Sequence, residues 1–110
     1  MNGLPKIGIA GIGLYIPEKF TTARDLSVAT GIPEDVIANK FGVKQKPVPG
    51  PDDTTSRMGV MAALEALNDA KVDPMDVDLL IWNGAQHKDY PCWLAGLKVA
   101  DVIGARRAWS

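Results

Sequence analysis

Apolar positions along the chain form segments that alternate between strand-like and helix-like patterns. Residues 7–16 are apolar on both faces, which predicts a first, buried strand that ends at Pro17. Residues 78–83 have the same character and predict a second buried strand, and residues 105–110 begin a third. Because the segments between them are helical in pattern, the chain is predicted to have an α/β fold with helices packed against a sheet.

Helix start and stop signals occupy the segments between these strands. Thr22 and Asp25 have the spacing of a capping box, and they predict a helix over residues 23–30 before Gly31. A second helix is predicted from Pro33 to about Lys40, and the longest helix from Asp53 or Thr54 to about Ala70. Asp73 starts a further turn, and a last helix is predicted from Trp93 to Ile103, where Gly104 ends it.

Small residues and prolines predict how closely these elements pack. The glycines of the first strand indicate that another element approaches its backbone. The longest helix is small and apolar nearly all round between Met58 and Leu64, which predicts packing on more than one side. Residues 43–48 are predicted to be extended, and the proline-rich residues 47–51 to form a surface connection.

Composition restricts the class of protein. The 110 residues include 12 Lys and Arg against 13 Asp and Glu, for a formal net charge of -1, and 46% are hydrophobic. These values are typical of one small globular domain, and they exclude a disordered chain and a strongly basic nucleic-acid binder. We find no secretory signal and no apolar run of the roughly 20 residues that cross a bilayer, so we expect a cytoplasmic protein without a membrane segment.

Three motifs look like chemical sites but have a better structural explanation. Residues 8–13 contain glycines without the spacing of a dinucleotide fingerprint. His87 and the single cysteine, Cys92, lie in one predicted loop, yet a lone cysteine is more often a small buried residue than a nucleophile, and no metal-ligand spacing is present. Asp52 and Asp53 precede a helix, where acidic residues serve as caps.

A basic group just after a predicted helix end is the remaining candidate site. It consists of Lys40, Lys44 and Lys46. A solvated surface, with Lys40 complementing the helix dipole, is one explanation, and an anion-binding site is the other. Composition and spacing alone therefore indicate an α/β domain with a candidate anion site and no defined reaction.

The chain ends within the third predicted strand. Residues 108–110 contain no turn residue or polar tail, whereas domain boundaries usually fall in exposed linkers. Two or three strands also make a poor sheet by themselves. We therefore expect residues 1–110 to be part of a longer polypeptide, and a short edge strand at a natural carboxyl terminus is the alternative.

Five segments carry motifs in a fixed order. Residues 9–17 end in G-x-Y-x-P, and residues 36–46 are similar to W-I-x-x-R-x-G-I-x-x-R. Residues 53–63 are similar to a helix with the pattern E-x-x-x-x-(M/A)-(G/A)-x-x-A-A, and residues 77–81 are similar to a strand with the pattern I-D-x-I-I. The fifth motif is P-x(n)-L-G, which Pro91 and Gly104 fit. Together they resemble the N-terminal third of ketoacyl-ACP synthase III enzymes of the thiolase superfamily, over essentially the whole chain.

The resemblance implies the N-terminal portion of a thiolase-like fold, which is a mixed sheet with packed helices and is incomplete in this chain, and an acyltransferase activity. Such enzymes condense an acyl thioester with malonyl-ACP in a Claisen reaction that runs through a cysteine, supported by a histidine and an asparagine. All three lie beyond Ser110 in the family pattern, so we expect no catalytic residue here, and Cys92 does not match the nucleophile. The resemblance implies no cofactor and no metal, because coenzyme A or ACP phosphopantetheine thioesters are the substrates.

Substrate contacts are implied for the basic group. Lys40 stands where the family has an arginine that contacts a coenzyme A phosphate, and an ammonium can serve there as a point charge. Lys44 and Lys46 match further basic positions. Val36 occupies the position of a tryptophan that stacks on adenine in bacterial members, so the aromatic platform is absent from that position.

A subunit interface is implied for the loop before the last helix. Tyr90 and Pro91, with Trp93, match a loop that in the family reaches across a two-fold interface into the partner's acyl pocket. The resemblance thus implies a homodimer, with acyl-CoA, acyl carrier protein and the remainder of the polypeptide as partners and with no nucleic acid or membrane.

Three alternatives stay open. A hydroxymethylglutaryl-CoA synthase or thiolase-like acyltransferase belongs to the same superfamily and would differ in the residues after Ser110. A non-catalytic thioester-binding or assembly subunit would keep the fold and lack the cysteine. A free-standing α/β binding module would unfold cooperatively as a monomer over residues 1–110.

Overall fold

A computed structural model describes residue 3, residues 7–84 and residues 94–110. Its elements are β1 (Lys19–Thr22), α1 (Ala23–Thr30), a π-helical turn (Val36–Lys40), β2 (Gln45–Val48), α2 (Thr55–Ala70), a 3-10 turn (Pro74–Asp76) and α3 (Ala95–Ile103). The chain divides into two compact units. We name Ile16–Asp53 the ribbon unit, and Met1–Tyr15 with Thr54–Ser110 the helical unit.

The ribbon unit is built on an antiparallel pair of strands, and a capped helix lies between the two strands in the chain. Strands β1 and β2 pair from Lys19 opposite Val48 to Thr22 opposite Gln45. Strand β2 confirms the extended conformation predicted for residues 43–48, whereas β1 was not predicted. Pro47 and Val48 belong to β2, so their inclusion in the predicted surface connection was wrong. A proline is tolerated there because this sheet has only two strands, so both strands are edges.

Helix α1 confirms the predicted capping signals. The Thr22 backbone N–H donates to the Asp25 carboxylate at 2.9 Å, and the Asp25 N–H donates to the Thr22 hydroxyl at 3.2 Å. Gly31 ends the helix with φ 74°, a left-handed conformation that glycine adopts without steric cost. The predicted boundaries, residues 23–30, are those of the structure.

The same capping box changes the pKa of the Asp25 carboxyl group. Hydrogen bonds from the Thr22 hydroxyl and backbone N–H lower the pKa of Asp25. The unfolded-state pKa of an aspartate is about 3.9, and the pKa of Asp25 is lower than this in the folded protein. The charged Asp25 carboxylate therefore stabilises the folded state at pH values above the unfolded-state pKa, and this stabilisation is lost as the pH falls through the folded-state pKa. In Thr22→Ala we expect the pKa of Asp25 to rise toward its usual value, measured by NMR titration of the carboxyl carbon. Thr21→Ala, which removes no bond to Asp25, is the control, and an equal shift in both variants would contradict the assignment.

The helical unit has a small core between α2 and α3. The buried residues of this core are Val60, Val99, Ala100, Ile103 and Ala105. Helix α2 begins after Thr54, whose hydroxyl accepts the Arg57 N–H at 3.3 Å, and α3 ends at Gly104 with φ 85°. The structure therefore confirms both predicted helix ends at Ala70 and Ile103, and it selects Thr54 over Asp53 as the cap.

The first predicted strand is not a buried strand in the structure. No strand is assigned over residues 7–16, and Ile7 is 94% exposed. A strand needs a neighbouring backbone, whereas here the N–H groups of Ile12 and Leu14 donate to carboxylates of α2, those of Asp69 and Glu65. The segment lies along α2 instead of within a sheet.

Glycines bring this segment close to the helix, as predicted. A Cβ at Gly11 would lie 2.6 Å from the Ala70 nitrogen, and one at Gly13 would contact the Ala62 oxygen and the Ala66 nitrogen. Helix α2 thus has this segment and α3 as neighbours. The prediction that α2 packs on more than one side is confirmed.

The second and third predicted strands are reduced to one short contact. Leu79 and Trp109 form a parallel bridge, in which the Leu80 N–H donates to the Trp109 oxygen at 2.8 Å. Leu79 and Ile81 are exposed, while Leu80 and Trp82 pack on the core. The expectation of a strand buried on both faces is therefore wrong, because within residues 7–84 and 94–110 a helical layer packs against one face only.

Among the described residues, no helix combines the length and apolar character that a membrane span needs.

Candidate anion-binding site

A wide helical turn carries the candidate site in the ribbon unit. Glu34 and Asp35 are α-helical, and Val36–Lys40 then form a π-helical turn. The Phe41 N–H donates to the Val36 oxygen at 3.0 Å, which is the i→i+5 bond of this geometry. A helical segment ending at Lys40 is therefore confirmed, but its winding is not that of an ordinary α-helix.

Two local features hold the turn in place. Ile37 is buried and anchors it, and its oxygen accepts the Val43 N–H at 3.0 Å. Gly42 between them has φ 72°, the left-handed conformation that a sharp reversal of the chain requires. With Ile37 turned inward, Lys40 and Phe41 are left exposed to solvent.

The other two lysines of the basic group, Lys44 and Lys46, come shortly after this turn in the sequence. The Lys44 oxygen accepts the Ala23 N–H at 2.9 Å, and Lys46 lies opposite Thr21 in the strand pair. Both lysine side chains are exposed. The structure thus places all three predicted cations at the surface of one compact unit, where an anion has access to them.

One acidic candidate of the ribbon unit, Asp53, has a structural role. The Asp53 carboxylate accepts the Gly50 N–H at 2.8 Å and closes the turn over residues 50–53. In the described part of the chain, no three His, Cys, Asp or Glu side chains come together as metal ligands would.

Several predicted site residues lie outside the described residues. They are His87, Tyr90, Pro91, Cys92 and Trp93. The described residues on either side of them in the sequence, Gly84 and Leu94, both line a cavity of about 430 Å³ in the helical unit. Its lining is mostly apolar and comes from residues 79–82, Gly84, residues 94–96 and Ser110.

One feature of these surfaces was not predicted from the sequence. The cavity is lined by residues far apart in the chain, so no local pattern predicts it.

Sequence comparisons identify relatives over nearly the whole chain. It is 32% identical over 102 residues to beta-ketoacyl-[acyl-carrier-protein] synthase III of Desulfitobacterium hafniense, a match that covers 93% of this chain and 30% of that protein. It is 33% identical over 105 residues to hydroxymethylglutaryl-CoA synthase of Pyrococcus horikoshii, covering 96% and 28% respectively. No protein-family profile matches the chain.

Structural comparisons agree. The priming beta-ketosynthase of the R1128 polyketide pathway superposes with a TM-score of 0.80 at 26% identity, covering 92% of this chain and 30% of that one. The 3-oxoacyl-[acyl-carrier-protein] synthase III of Aquifex aeolicus gives 0.77 at 25%, covering 92% and 32%. OleA of Xanthomonas campestris, at 23% identity and a TM-score of 0.73, supports the fold alone.

The chain therefore has the α/β architecture of the thiolase-like condensing enzymes, which confirms the predicted fold class. Within that class, it corresponds to the N-terminal part of a protein of the ketoacyl-ACP synthase III type. The chain spans about 30% of the length of the curated relatives it matches. That residues 1–110 belong to one longer condensing-enzyme domain stays a prediction.

Proposed function

We propose that this polypeptide belongs to an acyltransferase that condenses an acyl thioester with malonyl-ACP. The observation that carries the proposal is the similarity to a beta-ketoacyl-[acyl-carrier-protein] synthase III over 93% of the chain. In the proposed reaction, a cysteine thiolate attacks the thioester carbonyl and releases the donor thiol. Decarboxylation of the malonyl thioester then supplies the carbon nucleophile that takes the acyl group from the cysteine.

In the proposed enzyme, residues 1–110 contribute substrate binding and not bond chemistry. The nucleophilic cysteine, its histidine and its asparagine are assigned by the resemblance to positions beyond Ser110. The ribbon unit supplies Lys40, Lys44 and Lys46 for the phosphates of coenzyme A or of ACP phosphopantetheine. An exposed ammonium suits this task because it adapts to phosphates in several positions.

The apolar cavity of the helical unit supports the proposal that this unit binds the acyl chain. Leu80 and Trp82 contribute apolar walls, and the lining residues Gly84 and Leu94 precede and follow the stretch of sequence that contains Tyr90, Pro91 and Trp93. We propose that these three loop residues act at a homodimer interface beside the acyl pocket. A cytoplasmic location is part of the same proposal.

Reversal of one charge tests the phosphate contact. In Lys40→Glu of the full-length protein, we expect coenzyme A affinity to fall about tenfold, because a hydrogen bond to a charged group is worth about 1.5–3 kcal/mol and exposure reduces that value. Isothermal titration calorimetry at low salt is the measurement. Arg107→Glu makes the same charge change at an exposed site of the helical unit and should leave the affinity unchanged. If Lys40→Glu binds like the wild type, Lys40 is not in the site.

Hydroxymethylglutaryl-CoA synthase is the second candidate, favoured by the 33% identity to the Pyrococcus horikoshii enzyme. Turnover separates the two functions. Release of carbon dioxide from malonyl-ACP in the presence of acyl-CoA supports the synthase III function. Consumption of acetyl-CoA with acetoacetyl-CoA, without carbon dioxide, supports the alternative, and turnover of neither pair supports a non-catalytic subunit.

A further inference from the structure

Three glycines leave room for one large side chain in the helical unit, that of Trp82. This residue is half-buried and packs against the core. A Cβ added at Gly59 in α2 would contact Cζ3 of Trp82 and lie 2.8 Å from its Cη2. A Cβ at Gly84 would lie 3.0 Å from the indole nitrogen, and one at Gly96 in α3 would lie 3.1 Å from the Trp82 Cβ. Three separate parts of the unit therefore approach one tryptophan closely.

The same side chain lines the apolar cavity. Trp82, Gly84 and Gly96 all belong to the lining of this cavity of about 430 Å³. The far edge of the indole ring contacts α2 at Gly59, and a Cβ added there would also lie 3.6 Å from a methyl group of Val99 in α3. The ring therefore occupies the space between the cavity and the place where α2 meets α3.

An apolar cavity of this kind distinguishes acyl chains by their length. One extra or missing methylene in a hydrophobic pocket changes kcat/KM about 10–200-fold. A chain that extends from the cavity toward α2 meets the indole ring. The ring cannot turn aside freely, because Gly59 and Gly84 approach it from two sides. The space that the ring occupies becomes available to a chain only when the ring is made smaller.

We propose that Trp82 sets the acyl-chain length that this enzyme accepts, because its ring closes the cavity against longer chains. The inference rests on the proposed function, and it names short acyl thioesters as the substrate class. Trp82 is a specificity-determining residue in this assignment and takes no part in bond chemistry. Its replacement changes which donor is used, and the capacity to transfer an acyl group is kept.

Rates with a series of donors test the assignment in the full-length protein. The donors are acetyl-, butyryl-, hexanoyl- and octanoyl-CoA, with malonyl-ACP as the acceptor. We expect the wild type to favour the shorter donors, and Trp82→Leu to raise kcat/KM for octanoyl-CoA relative to acetyl-CoA at least about tenfold. Trp109→Leu is the matched control and should keep the wild-type preference, because Trp109 is 81% exposed and lies outside the cavity lining.

Two further variants extend the test. Trp82→Phe keeps an aromatic ring in the core and makes it smaller, so we expect a smaller shift toward longer donors and a folded protein. Gly96→Ala changes the cavity in the opposite direction. Its methyl group would contact the Ser110 hydroxyl oxygen and lie 3.5 Å from Cδ2 of Leu80, both in the lining. We expect kcat/KM for hexanoyl-CoA to fall relative to acetyl-CoA in this variant.

The outcomes separate this inference from the proposed function. If the Trp82 variants are active and keep the wild-type chain-length preference, the ring only fills the core. The inference is then wrong, and the proposed function stands. If Trp82→Leu does not fold, the profile of Trp82→Phe decides in the same way. A wild type that favours octanoyl-CoA over acetyl-CoA also overturns the inference. If the wild type transfers no acyl group from any donor, both proposals fail together.

Discussion

Gly13→Ala is expected to destabilise the helical unit by about 1–3 kcal/mol, the usual cost of an added group in a tightly packed place. The new Cβ would contact the backbone oxygen of Ala62 and the backbone nitrogen of Ala66, and the Ala66 Cα would lie 3.0 Å away. Backbone atoms inside a helix cannot turn aside as a side chain can. The segment that contains Gly13 would have to move away from α2, and the hydrogen bond from the Leu14 N–H to Glu65 would be strained with it.

Chemical denaturation of the full-length protein measures this effect as a lowered midpoint. Gly8→Ala is the matched control, since a Cβ at Gly8 meets no atom within 4 Å. Replacement of glycine by alanine at such an open position costs nothing sterically and reduces the freedom of the unfolded chain. We therefore expect Gly8→Ala to unfold at the wild-type midpoint or slightly above it. Equal midpoints for the two variants would show that Gly13 is not in close contact with α2.

Local signals predicted the elements whose stabilising bonds are themselves local. The capping box of Thr22 and Asp25, the cap at Thr54 and the stop at Gly104 each depend on atoms a few residues apart. Such bonds form wherever the short sequence allows, so the pattern was sufficient for the helix ends.

Strands were predicted less well because pairing depends on distant residues. Residues 7–16 have the composition of a buried strand. The N–H groups of Ile12 and Leu14, however, donate to side chains of α2, which the periodicity of the sequence does not reveal. Strand β1 was missed for the converse reason, since its sequence is short and polar and only β2 makes it a strand.

The candidate site shows the same division between local and distant information. Lys40 and its neighbouring lysines could be named from the sequence and from the resemblance to known enzymes. The π-helical winding of residues 36–40 could not, because the start signal at Pro33 and the stop at Gly42 are those of an ordinary α-helix. That wider turn is held by the buried Ile37 and by the hydrogen bond from the Val43 N–H to the Ile37 oxygen.

Ile103→Ala is expected to have the largest effect on stability, about 2–5 kcal/mol, because deletion of a buried aliphatic side chain removes apolar burial and leaves a cavity. Ile103 is 7% exposed and belongs to the core shared by α2 and α3, together with Val60 and Val99. The helix cannot shift to refill the space easily, since Gly104 fixes its end by donating its N–H to the oxygens of Ala100 and Asp101.

The neighbouring residue provides the matched control for this prediction. Val102 lies in the same helix and is 55% exposed, so Val102→Ala should change the free energy of unfolding by no more than about 0.5 kcal/mol. Both variants are compared with the wild type by thermal and chemical denaturation of the full-length protein. A cost at position 102 as large as that at position 103 would mean that the outer face of α3 is covered in the protein. A negligible cost at both positions would mean that the contact between α2 and α3 is not the core of this unit.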